Sequence, residues 1–280
     1  MKIVVTGTRG IPGIQGGVET HCQELYPLIA DEQHEIIVIR RPNYAVERSV
    51  QIYKQVAIKD ISAPRSKHLE AFVHTFKAVI YARKVKADIV HIHAVGPALM
   101  TPVARLLGMK VVITHHGPDY DRDKWGRFAK WILCMGERAG VYYANHIIVI
   151  SEHIRQIIYH QYSAKRNVTL IHNGVNVPTR VIGTEYLESL DLTEYGYVLA
   201  VGRFVKEKNL DQLVEAFTQL SSPSMKLVIA GDADFQDEYA QKLKEVCWKQ
   251  KNICLTGFIK GDKLAQLYTY AKVFVLPSTH

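Results

Sequence analysis

Six runs of strand length, at residues 3–6, 35–40, 88–93, 110–115, 146–151 and 168–172, are dominated by Val and Ile, and helical periodicity fills the intervals between them. A strand with one wet face alternates apolar and polar residues, whereas a strand that is apolar at successive positions must be covered on both faces. Repetition of strand, helix and strand therefore predicts a doubly wound parallel sheet, in which ligands sit at the C-terminal strand ends. That rule singles out the loops after Thr6, His93, His115, Ser151 and His172.

Between residues 176 and 197 the pattern lapses into Pro178-Thr179-Arg180 and the polar stretch Thr184-Glu185-Tyr186. A second series follows: strand 197–202, helix 209–220, strand 225–230, helix 236–249, strand 253–256, helix 262–271 and strand 273–276. The expectation is two α/β domains, 1–178 and 197–280, joined by a connection at 179–196, with a binding cleft between them. The last strand runs straight into Pro277-Ser278-Thr279-His280, where a covering helix is expected, so the second domain reads as incomplete.

The first strand leads into Gly7-Thr8-Arg9-Gly10-Ile11-Pro12-Gly13-Ile14-Gln15-Gly16-Gly17 and then into a helical pattern over 18–28. Strand, glycine loop and helix start together make a phosphate site, because unpaired N–H groups and the helix dipole face the loop. Thr6 to Gly13 also fits the fingerprint of extended short-chain dehydrogenases, with Tyr120 and Lys124 or Tyr268 and Lys272 as a Tyr-x-x-x-Lys pair, so an NAD(P)-dependent nucleotide-sugar dehydrogenase or epimerase is an alternative. Against it, the loop continues to Gly16-Gly17 before the helix begins. His91, His93, His115 and His116 cluster at strand ends without carboxylate or Cys at ligand spacing, so no metal is expected. His91 is read as a buried structural residue and His116, beside Gly117, as a substrate contact. Arg203 and Lys208, after the strand at 197–202, are placed to neutralise a diphosphate. Cys22, Cys134, Cys247 and Cys254 show no metal-ligand spacing and are expected as buried free thiols.

Together these residues resemble the retaining glycosyltransferases of family 4, which have the GT-B fold of two Rossmann-like doubly wound domains facing a cleft. The matching pieces are the glycine loop with Val18-Glu19-Thr20, Asp88-Ile89-Val90-His91-Ile92-His93-Ala94, Thr114-His115-His116-Gly117, Asn145-His146-Ile147-Ile148-Val149-Ile150-Ser151, His172-Asn173-Gly174-Val175, Val201-Gly202-Arg203, Leu227-Val228-Ile229-Ala230-Gly231 and Val275-Leu276-Pro277-Ser278. The resemblance implies a sugar moved from a nucleotide-sugar donor to a saccharide or lipid-linked acceptor with retention of configuration. It places Gly16 and Gly17 against donor phosphates or acceptor, His116 on the transferred sugar, Gly202, Arg203 and Lys208 at the departing nucleoside diphosphate, and Gly257, Phe258 and Ile259 at the nucleobase. No cofactor is implied, since the cations replace a metal ion. The family pattern continues past Ser278 with a pair of glutamates, and the sequence stops at His280. A C-terminally truncated member is expected, with a catalytically inactive nucleotide-binding or interaction protein as an alternative.

The net charge of +8 favours anionic partners. No recognised nucleic-acid module is present, so nucleic acid is not expected. Basic and aromatic residues alternate in Lys124-Trp125-Gly126-Arg127-Phe128-Ala129-Lys130-Trp131, and a basic helix runs over 65–86. Both suit peripheral contact with an anionic membrane, although an amphipathic helix with Trp131 in the core and Trp125 outside it explains the first as well. Met1-Lys2-Ile3 leads into a strand rather than a signal peptide, and a cytoplasmic location, at the inner face of the membrane, is the expectation.

Overall fold

A computed structural model describes residues 1–45, 47–64, 70–121, 125–162, 167–177, 181–220, 225–233 and 237–278. They form two compact units, Met1–Val175 and Asn176–His280. The first runs β1 (Lys2–Thr6), α1 (Gly17–Ile29), β2 (Glu35–Arg40), β3 (Ile52–Tyr53), β4 (Val56–Asp60), α2 (Glu70–Lys84), β5 (Ile89–His93), α3 (Thr101–Leu106), β6 (Lys110–His115), α4 (Arg127–Tyr143), β7 (His146–Val149), α5 (Glu152–Tyr162) and β8 (Val168–Leu170). The strands form one sheet in the order β3-β4-β2-β1-β5-β6-β7-β8, parallel except where β3 meets β4. Successive β1 residues face opposite layers, as the pleat requires. Val4 joins Ile37, Ile39, Val90 and Ile92 under Ala78, Val79 and Ala82 of α2, while Val5 joins Val38 and Ile58 under Cys22 and Tyr26 of α1.

The β3–β4 hairpin is an element that the sequence reading does not contain. Arg40, fully buried at the end of β2, holds it. Its guanidinium donates to both oxygens of Asp60 on β4, at 2.7 and 3.0 Å, and to the carbonyls of Glu47, Arg48 and Val50 at 3.1–3.2 Å. A charge without water is tolerable only when its donors are satisfied in this way.

The second unit runs α6 (Glu185–Ser189), β9 (Tyr197–Val201), α7 (Leu210–Gln219), β10 (Lys226–Ala230), α8 (Glu238–Trp248), β11 (Ile253–Gly257), α9 (Asp262–Tyr270) and β12 (Val273–Phe274). Its sheet, β11-β10-β9-β12, is parallel throughout. Ala200, Leu227 and Ile229 pack under α7 and α8, and Leu199, Val228 and Ala230 pack against α9 on the other face. Residues 181–196, expected as a connection, are built into this second layer. Leu187 of α6 and Leu192 are buried with Leu199 and Leu267, apolar anchors that the polar composition of the stretch obscures.

Helix α4 corrects two expectations. Gly136 and Gly140 let it pack closely: a Cβ on Gly136 would lie 2.3 Å from the Val95 carbonyl oxygen, and one on Gly140 would lie 2.7 Å from Ile113 Cδ1. That contact fixes which face is buried and turns Trp131 outward, 59% exposed, whereas Trp125 is half-buried. Cys134, expected as a buried thiol, is exposed on the same helix, while Cys22 and Cys247 are buried. Lys124 and residues 65–69 of the expected basic helix lie outside the described residues. No helix among the described residues is long and apolar enough to cross a membrane.

Candidate active site

In the first unit the chain goes from β1 to β2 and β4 on one side of the sheet, then returns to place β5 on the other side of β1. The crevice at such a reversal, at the C-terminal strand ends, is where an open α/β sheet receives ligands. The two loops are pressed together there: Gly7 has φ +93°, and a Cβ on it would lie 2.2 Å from the His93 carbonyl oxygen. Gly10 is equally confined, with the Arg40 side chain 2.5 Å from a Cβ position. These glycines serve the fold. The Glu19 carboxylate reaches back from the first turn of α1 to accept from the Arg9 N–H at 2.9 Å, and Gln23 accepts from the Gly13 N–H at 2.7 Å. Gly16, at φ +151°, caps α1, and Gly17 opens it with nothing within 4 Å of an added Cβ. The open backbone is therefore at Gly17, not in the Gly7–Gly13 fingerprint, and the helix starts after the fingerprint rather than within it.

One turn into α1, the His21 ring lies edge-on to His116, with centroids 5.4 Å apart, so the start of α1 and the loop after β6 meet. Behind His116 runs a file of side chains. Its Nε2 is 2.9 Å from His93 Nδ1; His93 Nε2 is 2.6 Å from the Tyr26 hydroxyl; Tyr26 is 2.8 Å from His91 Nδ1; and His91 Nε2 is 2.8 Å from Thr114 Oγ1. The His91, His93 and His116 rings stack at 4.4 and 5.2 Å. Burial, reinforced by the neighbouring imidazoles, pushes His91 and His116 down to about 3 and His93 well below the ordinary value, so all three are neutral near pH 7. His91 is a satisfied interior residue, and it also belongs to this file. The sequence gives no role to Tyr26, His21 or His93, and it names Thr114 only as part of a matching motif. The alternation of His91 and His93, which puts both on one face of β5, is the one signal that pointed to them.

On the opposite face of β6, His115 is within 2.7 Å of the buried Glu137 carboxylate, which also accepts from the Tyr120 and Tyr162 hydroxyls. Burial works to raise the Glu137 pKa, but the bonds from His115 and Tyr162 outweigh it and hold the carboxyl below the ordinary value. The Gly117 N–H donates to His115 Nδ1 at 3.1 Å, which ties the loop carrying His116 to this cluster. Tyr120, one candidate for a dehydrogenase tyrosine, is thereby a partner of Glu137. Its expected partner Lys124 lies outside the described residues, and the Tyr268–Lys272 pair lies in the second unit, apart from the fingerprint in chain and in unit.

The second unit has its own reversal, between β9 and β12. Gly202 ends β9, and the Lys208 stem lies over it, 3.8 Å from where a Cβ would be. Gly231, at φ +141°, brings the next loop so close that a Cβ would clash with the Gly202 carbonyl, and its N–H donates to the Gly257 carbonyl at 2.9 Å. Gly202, Gly231 and Gly257 thus step across three adjacent strand ends. Asn209, in a left-handed conformation, donates to the Pro277 carbonyl beyond β12 at 3.1 Å, closing the crevice. Arg203 and Lys208 are both half-buried on its rim; Phe258 is exposed, and Ile259 packs partly into the core. Among the described residues no group of three or more His, Cys, Asp or Glu could hold a metal ion.

Known proteins share both units. Residues 15–178 match Glycosyltransferase Family 4, and residues 185–280 match Glycosyl transferases group 1. An uncharacterized glycosyltransferase of Methanocaldococcus jannaschii is 26% identical over 309 aligned positions, covering 100% of this chain and 75% of that protein. Among solved structures, sucrose-phosphate synthase from Thermosynechococcus elongatus superposes with a TM-score of 0.79 at 20% identity, covering 100% of this chain and 76% of the other. Anabaena HepE, solved with UDP-glucose, gives 0.75 at 16% identity, covering 100% and 74%. The fold is that of the GT-B glycosyltransferases, and the family match displaces the dehydrogenase reading of the glycine loop. With more than half of its length matched by that family's model, the chain belongs to glycosyltransferase family 4.

Proposed function

We propose that the protein transfers a sugar from a nucleotide-sugar donor to a saccharide or lipid-linked acceptor with retention of anomeric configuration. The observation that carries this reading is the crevice of the second unit, where Lys208 lies over Gly202 beside Arg203 at the reversal of strand order. Positive charge preorganised where a leaving diphosphate develops its own charge is the main electrostatic aid to such a reaction, and it makes a metal ion unnecessary. The UDP-glucose bound by HepE supports the donor class. Gly257, Phe258 and Ile259, two strand ends away, are assigned to the nucleobase, Gly16 and Gly17 to phosphate or acceptor, and His116 to the sugar.

Calorimetric titration with the common nucleoside diphosphates tests the site. Binding that Arg203→Ala weakens roughly tenfold or more, as expected for loss of a charge-assisted bond to phosphate, supports the reading. No binding of any of them by the unmodified chain overturns it.

Contact with an anionic membrane, at its cytoplasmic face, is part of the same proposal. Phe128, Trp131 and Met135 form an exposed stripe along α4, Phe128 stacks on Trp131 at 6.0 Å, and Arg127, Lys130 and Arg138 flank them. Aromatic and basic residues on one helix suit the headgroup layer.

A further inference from the structure

The file of side chains from Thr114 to His116 has a direction, and counting protons determines it. A neutral imidazole carries one N–H and one lone pair, so each histidine that accepts from one neighbour must donate to the next. Once the first bond has a direction, every later bond has the same one. Thr114 Oγ1 is buried, and among the described residues its one side-chain partner is His91 Nε2. If it accepted from His91, its own proton would be buried with no acceptor, a cost that native interiors avoid. The Thr114 hydroxyl therefore donates to His91 Nε2, His91 Nδ1–H donates to the Tyr26 oxygen, Tyr26 donates to His93 Nε2, and His93 Nδ1–H donates to His116 Nε2. The Cys22 thiol, 3.7 Å from His93 Nε2, faces the same lone pair.

At the end of the file His116 is left with its proton on Nδ1, and that nitrogen has no hydrogen-bond partner among the described residues. We propose that Thr114 and Tyr26 are positioning residues that act through His91 and His93 to lock His116 as a neutral Nδ1–H donor, offered to an oxygen lone pair of the ligand. In the reading proposed above, on which this role rests, that oxygen is a hydroxyl of the transferred sugar. The burial that keeps all three imidazoles neutral agrees with this arrangement, since a charged ring anywhere in the file would need both its nitrogens to donate. His116 is thus a hydrogen-bond donor of fixed orientation and not a general base. The device needs no charge and costs the ligand no reorganisation of the site.

Ring-nitrogen NMR of the full chain, labelled with 15N-histidine and held at pH 7 without ligand, tests the assignment. His91, His93 and His116 are all expected as the Nδ1–H tautomer, the form that a free histidine side chain disfavours. Tyr26→Phe keeps the ring and deletes the link, so His93 and His116 are expected to move to the Nε2–H form or a mixture while the His146 signals stay in place. Thr114→Val is expected to release the polarity from the other end, and Thr114→Ser to restore it. An Nε2–H signal for His116 in the unmodified chain overturns the proposal. So does a His116 that keeps a single Nδ1–H form in Tyr26→Phe; if that variant fails to fold, an unchanged His116 in Thr114→Val has the same force. Because no ligand or turnover enters the measurement, failure of the tautomer assignment is distinguishable from failure of nucleoside diphosphate binding, which bears on the transferase reading alone.

Discussion

A single methyl group separates the two kinds of glycine in the first loop. On Gly7 it would meet the His93 carbonyl oxygen at 2.2 Å, in a backbone conformation of φ +93° that side chains avoid. Gly7→Ala is expected to lower stability by about 2–4 kcal/mol, from strain and displacement of β5 together, as read by urea denaturation. On Gly17 it meets nothing within 4 Å at the first position of a helix. Gly17→Ala is therefore expected to leave stability unchanged or raise it by about 0.5–1 kcal/mol, while weakening nucleotide-sugar binding if the open backbone there receives phosphate. Loss of stability in Gly17→Ala, or none in Gly7→Ala, would reverse these assignments. Both residues stand in one glycine-rich string, and only the neighbours that the fold brings to each distinguish them.

Among the elements, the β3–β4 hairpin depends on Arg40 and α4 on its glycines. Arg40→Met keeps much of the volume but leaves Asp60 and three loop carbonyls without their donor. A loss of about 3–5 kcal/mol is expected, the range for breaking a buried ion pair, with hydrogen exchange accelerating first over residues 47–60. Uniform exchange there in wild type and variant would show that the hairpin holds without it. The exposed stripe of α4 makes a separate prediction. Trp131→Ser should reduce binding to vesicles containing anionic phospholipid roughly tenfold, the effect of withdrawing one large apolar side chain from the interface, with an unchanged melting temperature because the side chain touches no core. Equal binding by the variant would remove α4 from the membrane proposal. The hairpin was illegible in the sequence because its turn is Lys54-Gln55, at φ +44° and +71°, where a glycine or asparagine normally announces the bend. The face of α4 was misread because Gly136 and Gly140 look like poor helix residues until the backbone they admit is seen.

On the scale of the whole molecule, the two units should respond differently to acid. His74, His91 and His116 are pushed down to about 3, and His93 well below its ordinary value, all mainly by burial, and all four lie in the first unit. Their folded pKa values lie below the ordinary 6.5, so the unfolded chain takes up protons first. Stability is then full above about pH 6.5 and falls as the pH drops toward 3, by roughly 1.4 kcal/mol per pH unit for each histidine that must stay neutral. Scanning calorimetry from pH 7 to 5 should move the transition of the first unit down by many degrees and leave that of the second in place. Parallel movement of both transitions would contradict this origin.

The parallel sheets were legible in the sequence, because near-continuous Val and Ile runs call for cover on both faces and the helices between them supply it, and so was the family, because the motifs at successive strand ends occur in order. The sequence also placed His116 and Arg203 just past strand ends, since chain position alone decides that, whereas the fold brings Lys208 over Gly202. Which side chains stand next to them depends on the packing of the fold. Tyr26 and His93 are 67 residues apart in the chain, and His91 and Thr114 are 23 apart. They meet because β5 lies between β1 and β6 in a particular register, with His93 opposite Thr114, and because α1 crosses the face that carries both histidines. A hydrogen bond is directional and short-ranged, so it depends on the packed positions of atoms, whereas burial of an apolar run depends only on there being a face to cover it.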